Sequence, residues 1–242
     1  MSVKPLSPKR NLLSLVTKAA CFVLLSCGLA TAADTALYLL KPDSDFQRGC
    51  FAPCMCPVMI TAPVNGTFFL TSTGSDGLYN TYAVTDVRWS YTNSGAVTSI
   101  TGSGTYKVGG EFALQQELSL ELQMDGGSKE HFDSGLVSDT AAFPDISVSI
   151  STNGQYCFDT VFYVNASPTP VPQLNIGLTS TNTVVLTWAV TPCRFVLLES
   201  FDMTIAIWNS VTNAPTVVGQ QNQVILPRAS GVKCYRLQPE GS

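Results

Sequence analysis

Strict alternation of apolar and polar residues is the feature that most constrains the fold of this chain. It runs unbroken through residues 118–124 and again through 146–151. Successive side chains of a strand point to opposite faces of a sheet, so a period of two predicts half-buried strands. Turn signals such as Asp125-Gly126-Gly127 and Asn153-Gly154 follow these runs. The pattern predicts an all-β chain built from antiparallel hairpins.

A proline-rich segment at 168–172 divides the predicted β-structure into two parts. It holds three prolines in five residues, which favours an extended, semi-rigid linker because proline fixes φ and lacks an N–H. Before this segment, residues 33–167 predict an antiparallel β-sandwich or a closed barrel. After it, residues 173–242 predict a small β-sandwich of short strands.

The first 32 residues have the organisation of a secretory signal peptide. Basic residues precede an apolar run at 19–30, and Ala30-Thr31-Ala32 matches the small-x-small cleavage pattern. The run is shorter than a membrane-spanning helix requires. An imperfect lipobox, Leu24-Leu25-Ser26-Cys27, leaves open a lipoprotein anchored at Cys27. We expect export, with the mature chain secreted, periplasmic or at the cell surface.

Charge and hydrophobicity exclude two classes of protein. Acids outnumber bases 17 to 13, which excludes a basic nucleic-acid binder. Hydrophobic residues make up 45% of the chain, which excludes a disordered one. The negative charge is concentrated in residues 33–167, with fourteen acids against five bases, whereas 173–242 has three acids and four bases. We interpret this acidity as a feature that keeps the domain in solution.

Several segments of residues 172–238 follow the order and spacing of a known unit. They are Thr181-Asn182-Thr183-Val184-Val185-Leu186-Thr187-Trp188, Phe195-Val196-Leu197, Trp208-Asn209-Ser210-Val211-Thr212-Asn213-Ala214-Pro215, Asn222-Gln223-Val224 and Tyr235-Arg236-Leu237. This part resembles the C-terminal β-module appended to many secreted proteins of verrucomicrobial-type bacteria, which is fibronectin-III-like in its V-x-L-x-W strand. The resemblance implies an exported, modular protein and no particular chemistry. Residues 48–57, 82–87 and 131–136 resemble uncharacterised exported bacterial domains.

Six cysteines remain once residues 1–32 are removed. An exported chain meets an oxidising compartment, so we expect three disulfides. Cys193 stands where the resembling module usually has a small or polar residue, and Cys234 where it usually has an aromatic one. Because both depart from the pattern and both lie in the module, the resemblance implies a Cys193–Cys234 disulfide.

The other four cysteines leave alternative pairings open. A Cys54–Cys56 bridge would close a small, strained ring, so we expect Cys157 to bond either Cys54 or Cys56. We favour Cys56–Cys157 with Cys50–Cys54, because Cys56 opens the apolar run at 57–60. A four-thiolate metal site is the competing interpretation, but zinc ribbons use C-x2-C knuckles and this sequence has none. We expect neither a metal nor a cofactor.

Few residues offer catalytic chemistry. His131 is the single histidine, and Glu130 and Asp133 are close enough in sequence to orient it. No serine lies in a G-x-S-x-G elbow. Glu117 and Glu121 share a predicted strand face, as a glycosidase's paired carboxylates would. A solvated strand face is the simpler explanation of that pair.

Aromatic residues are candidates for contact with a ligand. We interpret the three tryptophans as core residues, because the first alternates with Arg88 and the other two belong to the predicted small sandwich. These are Trp89, Trp188 and Trp208. Three tyrosines of the N-terminal part are the candidates for exposed residues that contact a ligand: Tyr79, Tyr82 and Tyr91.

The function expected from these patterns is an exported, non-catalytic binding or structural protein. Its partner would be an extracellular ligand or a cell-surface component, with no nucleic acid, and a membrane only if Cys27 is lipidated. Two alternatives stay open. One is a β-barrel carrier of a small apolar ligand. The other is a carbohydrate-active enzyme that uses paired carboxylates.

Overall fold

A computed structural model describes residues 34–138, 141–202 and 207–240 of the chain. The described residues form seventeen β-strands whose pairings are all antiparallel. The all-β prediction is therefore confirmed. The predicted signal segment, with its cleavage site and Cys27, lies outside the described residues. No helix in the described part of the chain is long and apolar enough to cross a membrane.

Ten strands form one large sheet. They are β1 (Thr35–Leu40), β2 (Asp45–Cys50), β3 (Met59–Ser75), β4 (Tyr79–Asn93), β5 (Ala96–Gly109), β6 (Gln115–Met124), β7 (Lys129–Asp133), β8 (Val137–Ser138), β9 (Ile146–Ser151) and β10 (Phe158–Thr169). β2 to β7 pair in sequence order, and β8 adds a short pairing to β6.

The large sheet closes on itself through β10. This strand pairs residues 158–163 with β2 and residues 161–166 with β9. A single residue pair, Asp133 with Ser151, joins β7 to β9 and completes the ring. β1 lies end to end with β2 and pairs with the remaining parts of β3 and β10. Of the two architectures expected for the N-terminal part, the strand pairings form the closed barrel.

Core-facing side chains fill the barrel, as the alternation predicts. Along β6, Leu118, Leu120 and Leu122 are at most 1% exposed, while the residues between them face outward. The ring of Trp89 lies against Phe162, with centroids 5.7 Å apart, and edge-on to Phe68. This packing buries Trp89 as expected and occupies the barrel interior with aromatic and aliphatic side chains.

Two backbone features allow the strands to bend into a barrel. Asp86, with a φ of 53°, forms a bulge in β4 between Val84 and Val87, so both valines point inward. Gly104 of β5 lies directly against the backbone of β6. A Cβ at Gly104 would overlap the carbonyl oxygen of Ser119. Glycine at this position therefore permits the close approach of the two strands.

The predicted proline-rich linker begins inside a strand. Thr169 pairs with Leu37, and Pro168 pairs with Tyr38, at the end of β10. Proline is tolerated there because a strand end needs fewer backbone donors. The connection to the next strand therefore spans residues 170–174.

The C-terminal part is a module of two small facing sheets. One sheet has the order β11 (Asn175–Leu178), β12 (Thr183–Ala189), β16 (Gln221–Pro227) and β15 (Thr216–Val218). The other has the order β14 (Asn209–Ser210), β13 (Phe195–Ser200) and β17 (Cys234–Pro239). Trp188 and Leu186 of the first sheet pack with Leu197 of the second in a shared core. The prediction that Trp188 is a core residue is confirmed.

The prediction that Trp208 is a core residue is wrong. Trp208 is only half-buried, directly before the two-residue strand β14, and the guanidinium of Arg236 lies 4.4 Å from its ring centroid. β14 has only two residues, so it has no row of inward-facing side chains that Trp208 could join. The ring therefore makes a cation–π contact at the surface.

The barrel and the module share a small apolar contact. Leu37 of β1 is 1% exposed and clusters with Cys193 and Phe195 of the module, with Phe69 and Leu237 at the margin. This contact covers one end of the module's core with the outer face of the barrel.

Candidate functional site

Two disulfides lie together at one end of the barrel. Cys50, the last residue of β2, bonds Cys56, and Cys54 bonds Cys157, which directly precedes β10. Their Cα atoms are 5.3 and 4.8 Å apart. The four sulfur atoms are bonded in two pairs, so none of them is a thiolate that could bind a metal. Within the described residues, no group of histidine, cysteine and carboxylate side chains could hold a metal ion.

The favoured pairing of these four cysteines is wrong. The predicted pairing of Cys56 with Cys157 and of Cys50 with Cys54 assumes that a strand starts at Cys56. β3 in fact begins at Met59, so Cys56 belongs to the loop. The loop reverses at residues 51–54, where the N–H of Cys54 donates to the carbonyl of Phe51 over 3.1 Å. This turn brings Cys54, rather than Cys56, next to Cys157.

The expected Cys193–Cys234 disulfide is also contradicted. Both thiols are free. Cys234 lies opposite Ser200 at the end of β13, whereas Cys193 precedes the start of that strand. The chain from Cys193 to Ser200 corresponds to roughly 20 Å when extended, whereas disulfides join Cα atoms less than about 7 Å apart. Burial, followed by the nearby charge of Glu240, raises the pKa of the Cys193 thiol.

A buried carboxylate holds the loop beside the disulfides. Asp159 is 2% exposed and accepts hydrogen bonds from the loop that precedes it. Its donors are the N–H and hydroxyl of Thr152 at 3.1 and 2.6 Å, the N–H of Asn153 at 3.0 Å, and the N–H groups of Gln155 and Thr160, each at 2.7 Å. Sequence reasoning missed this role. The signal available was an aspartate following the Asn153-Gly154 turn.

Five exposed apolar residues lie on the loops and strand ends that the disulfides join. We call them the apolar tip: Met55, Val58, Met59, Tyr156 and Phe158. Met55 is 99% exposed, and Val58 and Phe158 are 62% and 60% exposed. They lie on the 51–58 loop, the 152–157 loop and the strand ends that the two disulfides join. Clustered apolar exposure on a covalently fixed backbone is typical of a binding surface.

The structure does not bring the three candidate tyrosines together. All lie on β4, with Tyr79 at its start and Tyr91 near its end. Tyr91 stacks on the core residue Phe46 with ring centroids 4.2 Å apart, and Tyr82 packs beside Tyr106 at the core margin. Tyr79 donates its hydroxyl to the Gln115 side chain over 2.6 Å, and the Lys107 ammonium lies over its ring. Each tyrosine therefore has its own local packing partner.

The candidate catalytic groups contact other polar side chains on the outer face of the barrel. Glu121 Oε1 lies 2.8 Å from Nδ1 of His131, so Glu121 contacts the histidine where the sequence pointed to Glu130 and Asp133. Asp133 instead accepts the N–H of Gly135. Glu117 lies 3.9 Å from the ammonium of Lys107. These half-exposed pairs are typical of a solvated strand face.

Two clefts lie in the module. One of about 610 Å³ is lined by Glu199, Lys233 and Arg228, and one of about 640 Å³ is lined by Val217, Phe195 and Cys193. In the first cleft, the Lys233 ammonium lies 2.7 Å from the Glu199 carboxylate and also faces the ring of Phe201. The charges of Lys233 and Glu199 are therefore already paired with each other.

Comparison with known proteins returns no relative. No family model matches the chain, no curated protein matches it, and no solved structure matches it.

Proposed function

We propose that this chain is an exported, non-catalytic binding protein, secreted, periplasmic or at the cell surface, that contacts a partner through the apolar tip. The observation that carries the proposal is the 99% exposure of Met55 on a loop fixed by two disulfides. Exposed methionine is polarisable and flexible, and adapts to an apolar partner surface. The disulfides reduce the conformational entropy that such a loop loses on binding.

The same bonds support the proposed compartment. Disulfides persist in oxidising environments outside the cytosol, and two of them stabilise this barrel. The filled barrel interior favours recognition at the surface over storage of an apolar ligand inside. We infer that the module is an accessory domain, as its resemblance to appended β-modules implies.

Intact mass of the exported protein tests the compartment. We expect a mass that begins near Ala33. Alkylation after unfolding, without reductant, should modify Cys193 and Cys234 alone. Six modified cysteines, or a mass that retains residues 1–32, would contradict export into an oxidising compartment.

Binding of the labelled mature protein to intact producing cells tests the tip. We expect saturable binding that unlabelled wild-type protein displaces. The Met55→Glu variant should displace the label at least about tenfold less well, which corresponds to a loss of about 1.4 kcal/mol in binding free energy. The matched control is Phe112→Glu, because Phe112 is 94% exposed on the β5–β6 loop at the opposite end of the barrel. Equal displacement by the two variants would exclude the tip as the binding surface.

A further inference from the structure

Besides β14 and β15, the edge strands of the module are β11 in the first sheet and β17 in the second. Within the described residues, β17 pairs with β13 alone, and β11 pairs with β12 alone. The short connection at residues 190–194 reverses the chain between β12 and β13. Since β11 pairs antiparallel with β12, and β17 with β13, β11 and β17 run in opposite directions. An open edge presents unpaired backbone groups to another strand.

Two side chains of β11 face the module core but are exposed. Ile176 lies directly opposite Leu186, and Leu178 directly opposite Val184, in the antiparallel register. Residues directly opposite each other share a face of the sheet. Leu186 and Val184 are 0% and 9% exposed, yet Ile176 and Leu178 are 64% and 67% exposed. The second sheet ends at β17, so no described strand of it covers this part of β11.

We propose that a second copy of this chain fills the missing strand position, and that the two copies do so reciprocally. A two-fold axis parallel to the strands places β11 of each copy beside β17 of the other. Rotation about that axis preserves strand direction, so each β11–β17 pair is antiparallel. The projecting first sheet of one copy then continues into the shorter second sheet of the other.

The first sheet has one strand more than the second. This difference in width favours a second copy as the occupant. In this arrangement Ile176 and Leu178 of each copy lie over the same two residues of the other copy, so the same patch is buried twice. Such self-complementarity is the requirement for an isologous two-fold interface. β11 also lacks the charged residues and prolines that normally protect sheet edges.

The area of contact is compatible with a dimer. Stable, specific interfaces bury a total of about 1,200 Å² or more. The proposed contact contains two strand pairs and both copies of Ile176 and Leu178, whose side chains are 64% and 67% exposed. We therefore expect a contact near the lower limit of that range and a dimer that dissociates on dilution.

Sedimentation equilibrium of the mature full chain tests the proposal. We expect a dimer at about 100 µM, and Leu178→Glu should raise the dissociation constant at least about 100-fold. The matched control is Val217→Glu. Val217 is 65% exposed and lies on β15, the opposite edge of the same sheet. A monomeric wild-type chain, or equal loss of dimer in both variants, would overturn the proposal.

A covalent trap keeps the test independent of folding effects. Ile176→Cys in a Cys234→Ser background should form a disulfide-linked dimer in air, because the two copies of residue 176 are close to the axis. A monomeric protein that instead binds a synthetic peptide of residues 173–179 would assign the position to another chain and overturn the second copy. Met55→Glu should leave the dimer intact, so failure of the proposed binding function is distinguishable.

Discussion

The barrel and the module bury inward-facing residues to very different extents, although both are antiparallel. In the barrel, β10 pairs on both sides and returns the sheet to β2, so an inward-facing residue such as Leu120 is 1% exposed. In the module, the inward-facing Ile176 is 64% exposed because the facing sheet ends early. Closure removes sheet edges, whereas a sandwich depends on both sheets having matching widths.

The two regions also differ in how their cysteines are used. Among the described residues, the barrel contains both disulfides and the module contains both free thiols. The loop that Cys54–Cys157 closes spans 103 residues, which is most of the barrel. Covalent stabilisation is therefore concentrated in the barrel, at the end that carries the apolar tip.

The largest expected effect on stability is the loss of a disulfide, and its size should differ between the two disulfides. In the chain-entropy model, removing Cys54–Cys157 with paired serine substitutions should lower the free energy of unfolding by about 4–5 kcal/mol. Removing Cys50–Cys56, which are six residues apart, should lower it by only about 2 kcal/mol. Urea denaturation followed by circular dichroism measures both.

The module supplies the control for that measurement. Cys234→Ser changes a free thiol and should alter stability by less than about 0.5 kcal/mol. Equal losses for the two barrel disulfides, or a comparable loss for Cys234→Ser, would mean that the cysteines pair differently in solution.

An intermediate effect on stability is expected when one glycine of the barrel is replaced by alanine, and a glycine of the module provides the comparison. Gly104→Ala should cost about 2–3 kcal/mol, because the new Cβ would overlap the Ser119 carbonyl oxygen and lie 2.8 Å from the Cα of Leu120. Gly177→Ala should change stability by less than about 0.5 kcal/mol, since no heavy atom lies within 4 Å of its Cβ position. Thermal unfolding of both variants would refute the contrast if Gly177→Ala were the more damaging.

The smallest effect is confined to alkaline pH. Burial, then the charges of Tyr82 and Asp145, raise the pKa of the Tyr38 phenol from 10.0 to about 12. The unfolded chain loses this proton first, so the stabilisation is complete below about pH 10 and is lost as the pH rises through about 12. Tyr38→Phe should therefore flatten the alkaline decline in unfolding free energy. An unchanged slope in urea titrations across this window would contradict the assignment.

Much of the fold could be predicted from local pattern. Alternation along residues 118–124 placed the leucines of β6 on the core side, because strand geometry fixes the period of two whatever the partner strands are. The division into two β-regions rested on three prolines. The same local argument was wrong at Trp208, since an apolar residue beside a two-residue strand has no continuous inward row to join.

The candidate site was less accessible to such reasoning. Sequence arguments identified Cys50, Cys54, Cys56 and Cys157 as a group but paired them incorrectly, because the turn at 51–54 decides which sulfur meets Cys157. The hydrogen bonds to Asp159 and the exposure of Met55 have no sequence pattern of their own. Both depend on where β2, β3 and β10 end relative to one another.

By itself the sequence determined the strand period, the turns and the uneven distribution of charge, because each of these depends on residues that are neighbours in the chain. Only the tertiary structure decided that the large sheet closes, that the smaller sheets have unequal widths and that the apolar tip gathers at one end of the barrel. These features depend on pairings between distant segments, such as β1 with β10, whose register is set by packing across the whole barrel.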